Sequence, residues 1–285
     1  MNTTLAPRPL THKELEEALV AVRIPAYPAI VDEVMREAQK DDPQVKVLAR
    51  SIASDVGMSA MAVKLANSPL MGGANPVKSV QQAVNRLGTS NILNVVIAVA
   101  LRKSTEGLPE DLMARVWART STLALATGVL ARKHVGISPE LAYTYALFHD
   151  AAIPVMMLNF QRYTDHCGHL LDDPEALTVL EREHFKCDHA VVGWLLARNW
   201  GLPDSIAAAI RYHHDPDAYI LPERELPSSA LALIAVTVIA EHVIADCTGS
   251  AAEVGSRSFE NAKIFLGTSD TDIDEFRELV AAVMV

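Results

Sequence analysis

Apolar residues recur along most of this chain at spacings of three and four, the period that turns one face of an α-helix inward. Val80, Ala83, Val84 and Leu87 make one such face after Ser79, and Gly88 follows where a helix C-cap belongs. Asn91 to Leu101 is apolar nearly all round, which predicts a helix deep in a bundle. Upstream, after a loose leader with two prolines, Thr11 and Glu14 have the spacing of a capping box and predict a short helix. Ile24-Pro-Ala-Tyr-Pro28 rules out continuous helix and sets an extended turn. Helix resumes from about Ala29 to Gln39, and Asp41-Asp42-Pro43 breaks it. From Val45 to Ala66 the pattern predicts two short helices meeting around Asp55-Val56-Gly57, with Gly57 in the turn and Ser59 capping the second.

The second half continues in the same way. A long helix is expected from about Asp111 to His134, and Pro139 opens a central helix that Pro154 kinks or ends. Thr164 to His169 reads as a polar loop with surface histidines His166 and His169, and helix returns at Asp173 or Pro174. Helices then follow Asp188 and Asp204, the latter closed by His213-His214. The tail reads as three helices, Ser228–Asp246, Ala251–Phe265 and Asp272–Val285. The fold class is therefore all-α.

Composition narrows the function classes. Half the residues are hydrophobic, 21% are charged and glycine is modest at 13, a globular and helix-favouring balance. A net charge of −10 argues against general affinity for nucleic acid or anionic membrane. The Val45–Ala66 pair resembles a helix-turn-helix, yet Ser59–Leu65 offers only Lys64 to a base edge, so a structural helix pair is expected and DNA is not. Three widely spaced cysteines, Cys167, Cys187 and Cys247, form no CxxC pair and suggest neither a disulfide framework nor a thiolate zinc site. The N-terminus lacks an apolar signal core, and Ala230–Ala245 falls about one turn short of a bilayer span. A cytoplasmic location without membrane contact is expected. No nucleophile with a base and orienter is evident, and no GxSxG elbow.

The chemistry-bearing feature is His149-Asp150, set in the apolar run Tyr145–Leu158. Burying an imidazole and a carboxylate there is costly unless they pair or bind a metal. The dipeptide resembles the centre of the HD superfamily of metal-dependent phosphohydrolases. More specifically, Ile24-Pro-x-x-Pro28, Asp55, Lys64-Leu-Ala-Asn-Ser-Pro69 and Ser79-Val-Gln-Gln-Ala-Val-x-x-Leu-Gly88 resemble the N-terminal half of an HDOD domain, an HD-related signalling output module. His189-x-x-x-Gly193, Trp200-Gly-Leu-Pro203 and His213-His214 match its second half, while Val56 departs from the family's Asp-Pro. The resemblance covers about 20–217.

That resemblance implies an HD-like multi-helix bundle with an N-terminal helical lobe to about residue 105. A leader occupies 1–19, and a helical extension, 218–285, packs on the core. It implies a site at Arg119, His149, Asp150, His189, His213, His214 and Glu241. Arg119 stands where HD enzymes carry their first histidine, and a guanidinium repels a metal rather than binding it. Glu241 stands in place of the late aspartate. No catalytic residue and no metal are therefore expected, with Arg119 holding Asp150 by a bidentate salt bridge. An ion that did bind (iron, manganese or zinc) would take His149, Asp150 and Glu241. The implied function is a non-enzymatic bacterial signal-transduction module that contacts signalling proteins such as a kinase or second-messenger enzyme. Two alternatives stay open: a metal-dependent phosphohydrolase acting on a nucleotide or cyclic dinucleotide, and a nucleotide-binding regulatory module in which Arg119, His213 and His214 meet phosphate.

Overall fold

The computed structural model describes residues 20, 22–26, 28–72, 75–168, 174–249 and 256–284. The helix expected at Thr11 and the residue His169 lie outside them. No strand occurs among the described residues. The chain divides into two compact units, Pro25–Gly107 and a second comprising Leu108–Val285 with the residues up to Ile24.

The Pro25–Gly107 unit holds α1 (Ala29–Ala38), α2 (Val45–Ala53), α3 (Val56–Ala66) and α4 (Val80–Ser104). α1, α2 and α3 all pack on α4, whose second half buries Asn91, Ile92 and the run Asn94–Leu101, the helix that is apolar all round. Gly88 marks a kink within α4, at φ 72° and ψ 174°, a backbone conformation that glycine adopts without a steric penalty. The turn before α3 differs from expectation. Asp55, not Ser59, is the N-cap, its Oδ1 accepting from Met58 N at 3.0 Å, and Gly57 lies inside the first helical turn. A Cβ on Gly57 would stand 3.2 Å from Asp55 Oδ1 and 3.5 Å from Val99, so glycine serves close approach rather than a turn. The Asn-Ser dipeptide also has a structural role: Asn67 Oδ1 accepts from Val77 N at 2.7 Å and its Nδ2 donates to Val77 O at 2.9 Å. Arg86 adds bonds to Ala66 O and Asn75 O.

The larger unit begins with α5 (Glu110–Ala131), against which α6 (Pro139–Phe148) packs. The expected central helix is interrupted at His149-Asp150-Ala151, upstream of Pro154, and resumes as α7 (Ala152–Asn159). Pro154 has no N–H to return to the Asp150 carbonyl, which instead accepts from Ile153 N at 3.0 Å. Proline thus sits without cost in the first turn of α7, and the break falls on the dipeptide. Tyr163–Cys167 is a short helix, α8, rather than a loop; Cys167 is buried and His166 stacks on His184 at 4.1 Å.

Next come α9 (Pro174–Phe185), α10 (His189–Asn199) and α11 (Asp204–Tyr212), then α12 (Ser228–Thr248), α13 (Ser256–Leu266) and α14 (Asp270–Met284). A Cβ on Gly193 of α10 would lie 2.8 Å from Ile210 Cγ2 and 3.5 Å from Ala152 Cβ, so this glycine lets α7, α10 and α11 meet. The tail is not an appendage. α12 packs on α5, α6, α11, α13 and α14 and buries most of its length. Nor does it fall a turn short: Val80–Ser104, Pro139–Asn159 and Ser228–Thr248 are each long and apolar enough to cross a membrane by length and composition. Within the protein, 67%, 89% and 67% of those apolar stretches are buried.

Candidate metal centre

Three histidines reach one carboxylate because of where helices end. The last carbonyls of a helix have no intrahelical partner, and an imidazole one turn later can use them. His149 is the C-cap of α6 and its Nδ1 bonds Ala146 O at 2.8 Å; His213 is the C-cap of α11 and its Nδ1 bonds Ile210 O at 2.7 Å. A carbonyl only accepts, so both rings carry hydrogen on Nδ1 and turn Nε2 inward. His149 Nε2 meets Asp150 Oδ2 at 3.1 Å and Glu241 Oε1, from α12, at 3.7 Å. His213 Nε2 meets Asp150 Oδ1 at 3.4 Å.

His189 arrives differently, as the first residue of α10 behind the N-cap Asp188. The Asp188 carboxylate accepts from Val191 N at 2.8 Å and pairs with Arg182. His189 Nδ1 bonds Glu181 Oε2 at 2.7 Å, and its Nε2 lies 3.4 Å from Asp150 Oδ1 and 2.9 Å from His214 Nε2. The rings of His213 and His214 stand 3.8 Å apart.

Burial and mutual charge sort these groups. Burial opposes charge on Asp150, but His149, His189 and His213 outweigh it and hold the carboxyl well below its usual range. Burial is likewise overcome at His149, raised by Asp150 and Glu241, and at His189, raised well above its ordinary value by Glu181 and Asp150. It prevails at His213, which is lowered, and at His214, lowered well below by burial with His213 and His189 beside it. Burial pushes Glu241 up to about 7, against the pull of His149 and Arg119. Burial raises the Cys167 thiol to about 11 and the Cys187 thiol to about 12, which disfavours the thiolate at both.

Asp150, His189, His213 and His214 each offer a ligand atom, and all four lie within 4.8 Å of one another. Ligand atoms on one tetrahedral zinc stand about 3.3 Å apart, so spacings of 2.9 to 3.4 Å between the near pairs suit one ion. A second observation agrees. Asp150 Oδ1 and His213 Nε2 are buried without a hydrogen-bond partner and face each other as two acceptors, an arrangement that a cation between them relieves. The residues present therefore fit a divalent metal.

All seven residues singled out from the sequence meet here, but their roles shift. The set able to hold an ion shares only Asp150 with the expected His149–Asp150–Glu241. His149 turns its single inward nitrogen to the far oxygen of Asp150 and so acts as its counter-charge. The Arg119 salt bridge is not bidentate: one guanidinium nitrogen stands 3.7 Å from Asp150 Oδ2, beyond hydrogen-bond reach. Arg119 also lines a pocket of about 170 Å³, together with Arg115, Ile153 and Asp150. Glu181 and Tyr163 escaped the sequence reading. An acid on an amphipathic helix reads as solvated, and nothing distinguishes Glu181 from its neighbour Glu183 until the fold buries it.

The HDOD domain family matches residues 24–216, and the chain belongs to that family. The chain is similar to an uncharacterized protein of Treponema pallidum (strain Nichols), 26% identical over 207 residues, 67% of this chain; it spans 38% of that relative's length. Among solved structures it resembles an HDOD domain protein of unknown function from Geobacter sulfurreducens, with TM-score 0.65 and 24% identity over 94% of this chain and 97% of that one. It also resembles a candidate phosphohydrolase from Shewanella amazonensis SB2B, with TM-score 0.68 and 22% identity over 96% of each. At these identities the structures show a shared fold.

Proposed function

We propose that this chain is a bacterial signal-transduction module in which a divalent cation held by Asp150, His189, His213 and His214 serves structure or sensing, with output through contacts to signalling proteins in the cytoplasm. The observation that carries the reading is the division of the Asp150 carboxylate. Its Oδ1 faces His189 and His213, with His214 beside them, whereas Oδ2 faces His149 and, more distantly, Arg119. Two cationic groups on one edge leave the other for a single ion, and a positive Arg119 opposes a second metal beside it. A bound divalent metal supplies Lewis acidity. The chain's own residues do the rest: Asp150 carries the negative charge, His213 and His214 remain neutral donors, and His149 balances the carboxylate.

Elemental mass spectrometry of protein purified without chelator tests this together with hydrolysis assays on nucleotides and cyclic dinucleotides. One ion per chain with no turnover is expected. A protein that neither retains nor takes up zinc, manganese or iron refutes the metal. Turnover abolished in Asp150→Asn favours the second reading, a metal-dependent phosphohydrolase. One observation supports that reading, a pocket lined by Arg115, Arg119 and Asp150. The same two arginines support binding of a nucleotide phosphate without hydrolysis, which a thermal shift against nucleotides detects because a ligand of the folded state raises the melting temperature.

A further inference from the structure

Three of the inward Nε2 atoms at the centre, those of His149, His213 and His189, are presented by two different devices, and the difference assigns a role to a residue outside it. His149 and His213 close helices, where unpaired carbonyls are at hand for Nδ1. His189 opens a helix, where the unpaired backbone groups are N–H donors and no carbonyl is available to its ring. An acceptor must come from elsewhere. Glu181 of α9 provides it: Oε2 accepts from both His189 Nδ1 at 2.7 Å and His189 N at 2.9 Å, and Oε1 accepts from the Tyr163 hydroxyl of α8.

We infer that Glu181 is the positioning residue of the metal centre, fixing the proton of His189 on Nδ1 and aiming Nε2 at the ion, with Tyr163 locking the carboxylate. The inference rests on the metal reading above. Helix capping alone does not account for the arrangement. Asp188 already caps α10 through Val191 N, and a cap for the His189 amide has no need of the ring on the same oxygen. Glu181 and His189 are wholly buried, so no water can replace the carboxylate if it is lost. A carboxylate without water is costly unless every lone pair facing a donor is used, and here three donors from two elements hold it. A ligand imidazole whose other nitrogen donates to a carboxylate is fixed in tautomer and orientation and made more basic, and losing such a partner weakens metal affinity about 10–100-fold.

The experiment compares zinc affinity, by competition with a chromophoric chelator, in the full-length wild type and in Glu181→Gln, which keeps the volume and removes the charge. The His189 ring is followed in parallel by ¹⁵N-edited NMR. The expected results are a zinc affinity about 10–100-fold weaker in E181Q at unchanged helical circular dichroism, and an Nδ1–H resonance of His189 present in wild type and lost or displaced in the variant. Tyr163→Phe, which removes one hydroxyl, is expected to weaken zinc by a smaller factor. Equal zinc affinity in folded E181Q overturns the role of Glu181 and leaves the metal reading intact, whereas a wild type that binds no zinc overturns both. If E181Q does not fold, the wild-type ring decides: a bare Nδ1 on His189 overturns the inference.

Discussion

The two units dispose of their polar side chains in opposite ways. In Pro25–Gly107 the informative polar residues bond to backbone: Asn67 clasps both polar groups of Val77, Arg86 holds two carbonyls, and Asp55 caps α3 while pairing with Lys103. Donor meets acceptor, and each contact pins a loop or a helix end. In the Leu108–Val285 unit the polar residues converge on one another, and the convergence leaves Asp150 Oδ1 and His213 Nε2 without partners. A satisfied network stabilises; facing acceptors are the arrangement that a cation relieves. Asn91 Oδ1 in the smaller unit is also buried without a partner, so the comparison teaches that two acceptors facing each other, rather than polarity, burial or one unpaired atom, mark a candidate site.

The largest effect that can break this comparison is expected at Asp150. Asp150→Asn keeps the shape and removes the charge that faces three imidazoles, and zinc affinity should fall by more than about 100-fold, since a ligand matters more than its outer partner. If zinc binding survives, the convergent cluster is only another structural network.

Gly193→Ala comes next and joins packing to chemistry. Its Cβ would overlap Ile210 on α11 and press on Ala152 of α7, so stability should drop by about 1–3 kcal/mol. Because those two helices flank His213 and Asp150, zinc affinity should fall as well, measured in the same competition assay after a thermal melt.

On the other side, Asn67→Ala removes two hydrogen bonds to Val77, at a cost of about 1–2 kcal/mol in denaturant unfolding. Zinc affinity should not change. A loss of zinc there would show the two units to be coupled.

The smallest effect sharpens the comparison through pH. Lys103, then the Met58 amide, lower the pKa of Asp55 from its ordinary 3.8, so this group stabilises the fold above that value. The contribution is lost as pH falls below 3.8 through the lower folded pKa, as the proton taken up releases Lys103 and the cap. In Asp55→Asn, which keeps a capping side chain, the deficit at pH 7 should stay under about 1 kcal/mol because the ion pair is partly exposed. It should shrink toward zero in strong acid. A deficit independent of pH would show that the ion pair contributes nothing.

Much of this was legible in the residues themselves. Helical periodicity set the all-α class, Gly88 ended its apolar face, and the Asn-Ser, His-x-x-x-Gly and His-His signatures brought the family into view. These are local properties, because spacing along one helix decides which residues share a face. Arg119, His149, Asp150, His189, His213, His214 and Glu241 were nameable for the same reason, as short motifs.

Only the tertiary structure decided how those residues divide the work. Which nitrogen of each histidine turns inward depends on whether it opens or closes a helix and on what lies across from it. The distance from Arg119 to Asp150 depends on how α5 packs on α6. Glu181 and Tyr163 gain their meaning from burial against His189, a contact between separate helices that no spacing along the chain encodes. Ligand geometry is a relation between elements: Glu181 meets His189 across eight positions and Asp150 meets His213 across 63, and packing rather than any one helix's sequence fixes both.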